Sequence, residues 1–446
     1  MTLMVNSPNE RICSKLESSL LELCRARLNS ENEGFGTLRR NALTQLETKG
    51  LPAKKDEAFR FSPIGALADQ SFGMQSSGVP TVESKVAEDF SVALDPSALR
   101  LAIINGVPVS TNQSIRGVTI ATLKAIAKDA LVASKLGTLL SEQDGWIAAN
   151  TSGFGDGWVI VVDDGVSAEI PIELSFHQGA NGASSVAFPR VLVILGTGSR
   201  LSLIERHSSS GDKTSLSNSV VEAFIGTGAV LQHNRWVDVG PTAHSLCSTA
   251  VSVGANATYQ AWSLATAGRF VRHDLQVRLS GRAASTVLDG LYYGRESQLV
   301  DNHVRVWHEQ PEGTTKECYR GVVEDHGRAV FDGIIYVGKG AMKTDARQEN
   351  RNLLLGSDAV VNTKPHLEID ADDVSCSHGA TVGQLDDSQL FYLRARGIDE
   401  AMGRALLTWA FAKEIVDRCP NEAVRDAAVR RLEGALSFDS EEAGKP

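Results

Sequence analysis

The sequence predicts a mainly β protein: a right-handed parallel β-helix, or solenoid, with a helical and small α/β segment before it and helices after it. Three observations carry this expectation. Residues 158–375 are rich in valine, isoleucine, threonine and glycine in short apolar runs, which is how strands read. One turn then recurs, as LGTGSR at 195–200, IGTGAV at 225–230 and VGANAT at 253–258, with VGKGAM at 337–342 and LGSDAV at 355–360 further on. Finally, Gly196, Gly226 and Gly254 lie 30 and 28 residues apart, a period in the range of solenoids and propellers. A unit of two or three short strands, burying its inward side chains on the next unit, accounts for all three. A sandwich whose hairpins share glycine turns is the alternative.

Before the repeats, residues 8–50 set Ile12, Leu16, Leu20, Leu21, Leu28, Leu38 and Leu46 among charges, broadly at helical spacing. Gly50 and Pro52 mark the end of that helical segment. From Lys54 to about Gly155 a small α/β section is expected, with short strands over LRLAIINGVPV (99–109) and a helical stretch over 120–140. After the repeats, Asp386 or Asp387 can cap a helix that Gly397 stops. Asp399 can cap a second, running through Leu406, Leu407, Phe411, Ile415 and Val416, and Asn421 opens a third. The division expected is therefore 1–155, 156–384 and 385–446, with a polar tail SFDSEEAGKP.

Composition narrows the function. A formal net charge of −10 with 22% charged residues and no basic block argues against nucleic acid as a ligand. The six cysteines form no C-x-x-C pair, which argues against a structural zinc site or a disulfide framework. The opening residues lack the pattern of a secretory signal. The apolar runs RVLVILG (190–196) and DGIIYVG (332–338) are too short to span a bilayer. The compartment these features suggest is reducing and cytoplasmic, or a plastid stroma if a transit peptide has been removed. No P-loop, dinucleotide fingerprint, G-x-S-x-G elbow or H-E-x-x-H is present, so the commonest nucleotide-binding, hydrolase and metalloprotease chemistries are not expected.

One segment does suggest chemistry. In DDVSCSHGATVGQLDDSQLFYLRARG (372–397), Cys376 and His378 stand two residues apart, which on a strand points both side chains to one face. Thiol and imidazole are soft and borderline ligands for iron, sulfur or zinc. A small buried packing residue is the plainer reading of Cys376. Asp370, Asp372 and Asp373 beside the pair can supply hydrogen bonds to it or simply cap and solubilise a strand end, and the second is the plainer reading. His303 and His308, flanking Trp307, are read as cross-strand contacts.

The block KPHLEIDADDVSCSHGATVGQLDDSQLFYLRARGI (364–398) closely resembles the C-terminal core of the SufB/SufD family of iron–sulfur cluster assembly scaffolds. ECYRGVVEDHGRAVFDGIIYVGKGAMKTDARQENRNLLL (317–355) and GLPAKKDEAFRFSP (50–63) resemble further family segments. In the family's B-type subunit a cysteine precedes the leucine run that matches Leu353–Leu355 and a glutamate follows the core histidine. Here those places hold Asn350 and Gly379, so the resemblance implies a D-type, non-catalytic scaffold subunit. It further implies pairing with SufB through the β-helix core, or a homodimer in the absence of SufB. The ATPase SufC would dock on the C-terminal helices. No cofactor would be permanently bound, and a transient cluster would form at the SufB interface with His378 as metal ligand and Cys376 as the second candidate. Use of flavin by the complex stays open. Two other readings are a SufB-like subunit that holds the cluster itself and a β-helix enzyme acting on polysaccharide.

Overall fold

A computed structural model of the chain describes residues 14–30, 34–52, 56–62, 65–74, 93–110, 114–140, 144–180 and 182–436. Two facing sheets dominate it. One contains, in chain order, β1 (Leu99–Ile104), β2 (Val107–Ser110), β5 (Ile172–Ala180), β8 (Arg200–Gly211), β10 (Val230–Asp238), β12 (Thr258–Ala267), β14 (Ser285–Gly294), β16 (Thr314–Val323), β18 (Thr344–Leu354) and β20 (Val374–Gly383). The other contains β3 (Val118–Thr122), β4 (Trp158–Val162), β6 (Ser185–Ala187), β7 (Arg190–Leu195), β9 (Ser215–Ile225), β11 (Ala243–Val253), β13 (Phe270–Leu279), β15 (Leu299–His308), β17 (Arg328–Val337) and β19 (Val360–Ile369). From β7 onward the chain crosses from one sheet to the other at every turn, and from β9 onward each strand lies parallel to the strand two before it. That is a parallel β-solenoid, as expected.

The register shows why these residues stack. Val193, Ala223, Val251, Val277, Val306, Ile335 and Leu367 are successive partners up one wall of the interior. Each rung covers the apolar side chains of the last, which no rung could do alone. The recurrent turns stack in the same way. The amide N–H of Gly198 donates to Thr227 O, that of Gly228 to Ala255 O, that of Asn256 to Arg282 O and that of Ala283 to Pro311 O, at 2.8–3.0 Å. A Cβ on Gly226 would lie 2.7 Å from Leu195 O, and one on Gly254 would lie 2.8 Å from Ile225 O. The glycine period is therefore set by backbone passing over backbone. The second glycine of the turn fades from the sequence because Asn256, Ala283, Glu312 and Lys343 adopt the left-handed conformation that Gly198 and Gly228 supply earlier.

The first end of the solenoid is closed by antiparallel strands. Asn105 and Gly106, both at positive φ, turn β1 into β2 as a tight hairpin, in keeping with strands expected over 99–109. The helical stretch expected over 120–140 is corrected. Val118, Thr119 and Ile120 begin a β-branched run that pairs antiparallel with β4, and only Ala130–Lys135 is helical. Asp129 caps that helix through the N–H groups of Leu131 and Val132, and Gly137, at φ +78°, follows its end. Helices Lys15–Ser30 and Gly36–Lys49 fill most of the expected N-terminal helical segment; Ile12 lies outside the described residues.

The C-terminal helices begin where their caps predict. Asp386 accepts from Ser388 N, Asp399 from Met402 N and Asn421 from Val424 N, and Gly397 at φ +87° ends the first of them. Helices Glu400–Val416 and Glu422–Ala435 lie against the outer face of the first sheet. There Ala412, Ile415, Val416, Val424 and Leu432 bury Ile204, Trp236, Trp262 and Leu291.

Candidate site at the open end of the solenoid

The second end is open. Strands β19 and β20 are the last of their sheets, and among the described residues no strand pairs with their outer edges. Cys376 and His378 lie on β20 in register with Ala346 and Gln348, whose side chains are buried. Both therefore stand on the inward face of the terminal rung. Cys376 is half-buried and packs on the core cluster, whereas His378 is exposed. Burial, with a smaller contribution from the Asp345 carboxylate, raises the Cys376 thiol above its usual range, and a backbone hydrogen bond to Ala346 opposes this. In the isolated chain the sulfur is thus held as a thiol. Asp370, Asp372 and Asp373 are exposed at the entrance to β20.

The two positions from which the resemblance implies a D-type subunit, Gly379 and Asn350, differ physically. Gly379 is exposed, is not held at positive φ and has nothing within 4 Å of where a Cβ would stand. Neither backbone nor space demands glycine there. Asn350 is fully buried and occupied: its Nδ2 donates to Tyr292 Oη (3.1 Å) and Tyr319 O (3.3 Å), while its Oδ1 accepts from Asn352 Nδ2 (2.6 Å) and Thr363 Oγ1 (2.8 Å). It ties the two sheets together just inside the open end. His308 pairs with Thr315 Oγ1 at 2.8 Å, and burial pushes its imidazole down to about 4. His303 lies 2.9 Å from the Asp301 carboxylate. Both histidines are buried; His308 reaches the next strand as expected, whereas His303 meets Asp301 of its own strand.

Sequence reasoning missed a polar interior. Beneath His378, Gln348 Nε2 donates to Glu317 Oε2 at 3.2 Å, and burial pushes the Glu317 carboxyl from 4.5 up to about 8. Deeper, the Glu205 carboxylate receives His233 Nε2 at 2.9 Å, with His207, Cys247 and Arg235 around it. Its ionised form is favoured: although burial raises the group, the hydrogen bonds and charges of the two histidines hold it well below the usual range. Burial, with Glu205 beside it, pushes the Cys247 thiol up to about 11. The available signal was Glu205-x-His207 and His233-x-Arg235, polar residues at the inward alternation of otherwise apolar strands.

Glu317 gives a sign-determined prediction. Its proton is bound more tightly in the folded chain than in the unfolded one, so its contribution to stability is whole below pH about 4.5 and is lost as pH rises through about 8. Glu317→Gln, permanently neutral, is expected to flatten that alkaline decline and to stabilise the chain at pH 8 by on the order of 2 kcal/mol. Melting temperatures measured across this pH range check it; a variant whose melting temperature falls with pH as the wild type's does would refute the assignment.

Comparison with known proteins gives the family. The family described as "SUF system FeS cluster assembly, SufBD core domain" matches residues 176–411, and "SufBD protein N-terminal region" matches 19–174. The chain belongs to the SufBD family. Among its relatives, the iron–sulfur cluster assembly protein SufD of Escherichia coli (strain K12) is 30% identical over 399 residues, covering 87% of this chain and 90% of that protein. The SufBD family protein slr0076 of Synechocystis sp. (strain ATCC 27184 / PCC 6803 / Kazusa) is 30% identical over 397 residues, covering 86% and 87%. Protein ABCI7, chloroplastic, of Arabidopsis thaliana is 28% identical over 395 residues, covering 86% and 82%. This SufBD protein is thus an iron–sulfur cluster assembly protein with relatives named SufD. Among its described residues no helix is long and apolar enough to cross a membrane.

Proposed function

We propose that this SufBD protein is a D-type scaffold subunit, pairing with SufB and the ATPase SufC to assemble nascent iron–sulfur clusters. The observation that carries the reading is the open last rung. Unpaired strand edges on β19 and β20 invite strand addition, and a second β-helix would complete them. His378 stands on the rung that such pairing would cover, so it would face the partner across the joint. A neutral imidazole there can ligate iron or handle a proton for the cargo cluster. Cys376 is the lesser candidate, because its thiol is held protonated and packed.

The other end of the assembly falls to the C-terminal helices. Helix Asp387–Arg394 exposes Phe391 (72%) and Tyr392 (57%) next to the solenoid edge, an apolar surface of the kind that partner proteins cover. In this reading SufC docks there and ATP hydrolysis takes place on SufC. The scaffold needs no resident cofactor, and a flavin electron donor would act on the assembled complex. Cytoplasm or plastid stroma would supply the reducing conditions. Co-expression with SufB and SufC, followed by anaerobic purification, tests this. A stable three-component complex that develops cluster absorbance on supply of iron and sulfur is expected; recovery of this chain only alone or as a homodimer, with both partners present, would refute it.

A further inference from the structure

We propose that Glu205, His207 and Cys247 form a buried binding site for a borderline divalent metal ion of the zinc class, held inside the solenoid several rungs from the open end. The three ligand atoms lie within 4.8 Å of one another. Glu205 and His207 come from β8 in one sheet and Cys247 from β11 in the facing sheet, so an ion bound to all three would pin the two walls together. The side chains are 0%, 1% and 2% exposed, and Cys247 Sγ lies 3.5 Å from Glu205 Oε1. That is close to the ligand-to-ligand spacing of a tetrahedral site whose metal–ligand bonds are about 2.0–2.3 Å.

The donor set selects the ion. One thiolate, one imidazole and one carboxylate suit zinc, whereas calcium and magnesium take oxygen ligands. His233, 2.9 Å from the other Glu205 oxygen, or a water would complete four-coordination. Outer contacts are already built. Thr249 Oγ1 lies 3.6 Å from the sulfur and 3.1 Å from His273 Nε2, and Phe176 stacks on the His207 ring with centroids 4.8 Å apart.

A second observation favours a ligand over a self-sufficient polar network. His207 Nδ1 is buried without a hydrogen-bond partner, as are Nε and Nη2 of Arg235, although Arg235 Nε stands 3.4 Å from Glu205. The Arg235 N–H groups cannot ligate a cation, but His207 Nδ1 can: with Nε2–H given to the ionised Glu205, it carries a buried lone pair that nothing in the network uses. Binding replaces the Cys247 S–H bond with a sulfur–metal bond and releases one proton to solvent. Thiolate and carboxylate then balance the two charges of the ion, and Arg235 remains the neighbouring cation.

The site is enclosed, so the test loads metal during folding. The full-length chain is refolded from denaturant with Co²⁺ or with chelator, desalted and assayed for metal. One equivalent of cobalt per chain is expected, with a near-ultraviolet sulfur-to-cobalt charge-transfer band, visible bands of tetrahedral intensity and a higher melting temperature than the chelated protein. Cys247→Ser is expected to abolish the charge-transfer band, and His207→Gln to lower occupancy at least tenfold, while Cys376→Ser retains both metal and spectrum. Wild-type protein that refolds without retaining cobalt overturns the proposal, as does cobalt retained without the sulfur band. These readouts are independent of cluster assembly and of SufB, so they stand or fall apart from the scaffold reading.

Discussion

Replacing His378 with alanine is expected to leave the chain folded and, under the proposed scaffold reading, still paired with SufB and SufC, while lowering the rate of cluster assembly by at least about tenfold. The first half follows from position. His378 is exposed on the terminal strand, and its imidazole makes no hydrogen bond or ion pair with any described residue. Substitution at such a surface site changes stability by less than about 0.5 kcal/mol. The second half follows from the proposed role, since alanine offers neither a nitrogen ligand nor a titratable proton. Gel filtration of the anaerobic complex and the growth of cluster absorbance measure the two halves separately. Unchanged assembly by an intact His378→Ala complex would remove the imidazole from the chemistry.

The same experiment on Cys376→Ser is a ranking test. Its sulfur is half-buried against the core and held as a thiol, so a smaller loss is expected than for His378→Ala. If serine alone abolished assembly in an intact complex, sulfur ligation or relay would have to be restored as the leading role of this strand.

The architecture was legible because it is repetitive. Gly196, Gly226 and Gly254 announce the solenoid since each must let one backbone cross the next, a constraint that acts on residue type directly. Helix caps at Asp386, Asp399 and Asn421 were legible for a similar local reason: a short polar side chain must meet a free N–H within three residues. The stretch over 120–140 misled because its strand is fixed by pairing with β4, forty residues away, and no local pattern carries that information. At the open end, Cys376 and His378 could be named from spacing. Their neighbours Gln348 and Glu317 could not, because the register that aligns β16, β18 and β20 is a property of the stacked rungs. The polar interior was obscured for a further reason: one Glu or His within a valine-rich strand reads as an outward residue until the alternation is anchored.

Trp262→Ala is expected to release the C-terminal helices while leaving the solenoid and its pairing edge intact. Trp262 is 1% exposed, donates Nε1–H to Ile415 O at 2.8 Å and stands in the cluster that buries Ala412, Ile415, Val416 and Val424. Truncating so large a buried side chain costs about 3–5 kcal/mol. What would still fasten the helices is the thinned remainder of that cluster, Ile204, Trp236 and Leu291 against Ile415, Val416 and Val424, and a set of polar contacts: Arg418 to Asp289 at 3.1 Å, Arg431 to Asp238 at 2.9 Å, Arg320 to Glu414, and Arg404 Nη2 to Leu355 O at 3.1 Å. Partly exposed pairs of this kind contribute only about 0–1 kcal/mol each. The rungs, by contrast, are held by the continuous interior stack, in which Trp262 takes no part because it faces outward. Local opening is therefore favoured over global unfolding. Limited proteolysis should cut rapidly near residues 384–399 in the variant and slowly in the wild type, with the main melting transition of the solenoid preserved. Under the proposed scaffold reading, the same variant should retain SufB and lose SufC. Unchanged protease resistance would show that the helices are anchored elsewhere; loss of both partners together with the melting transition would show that helices and solenoid fold as one unit.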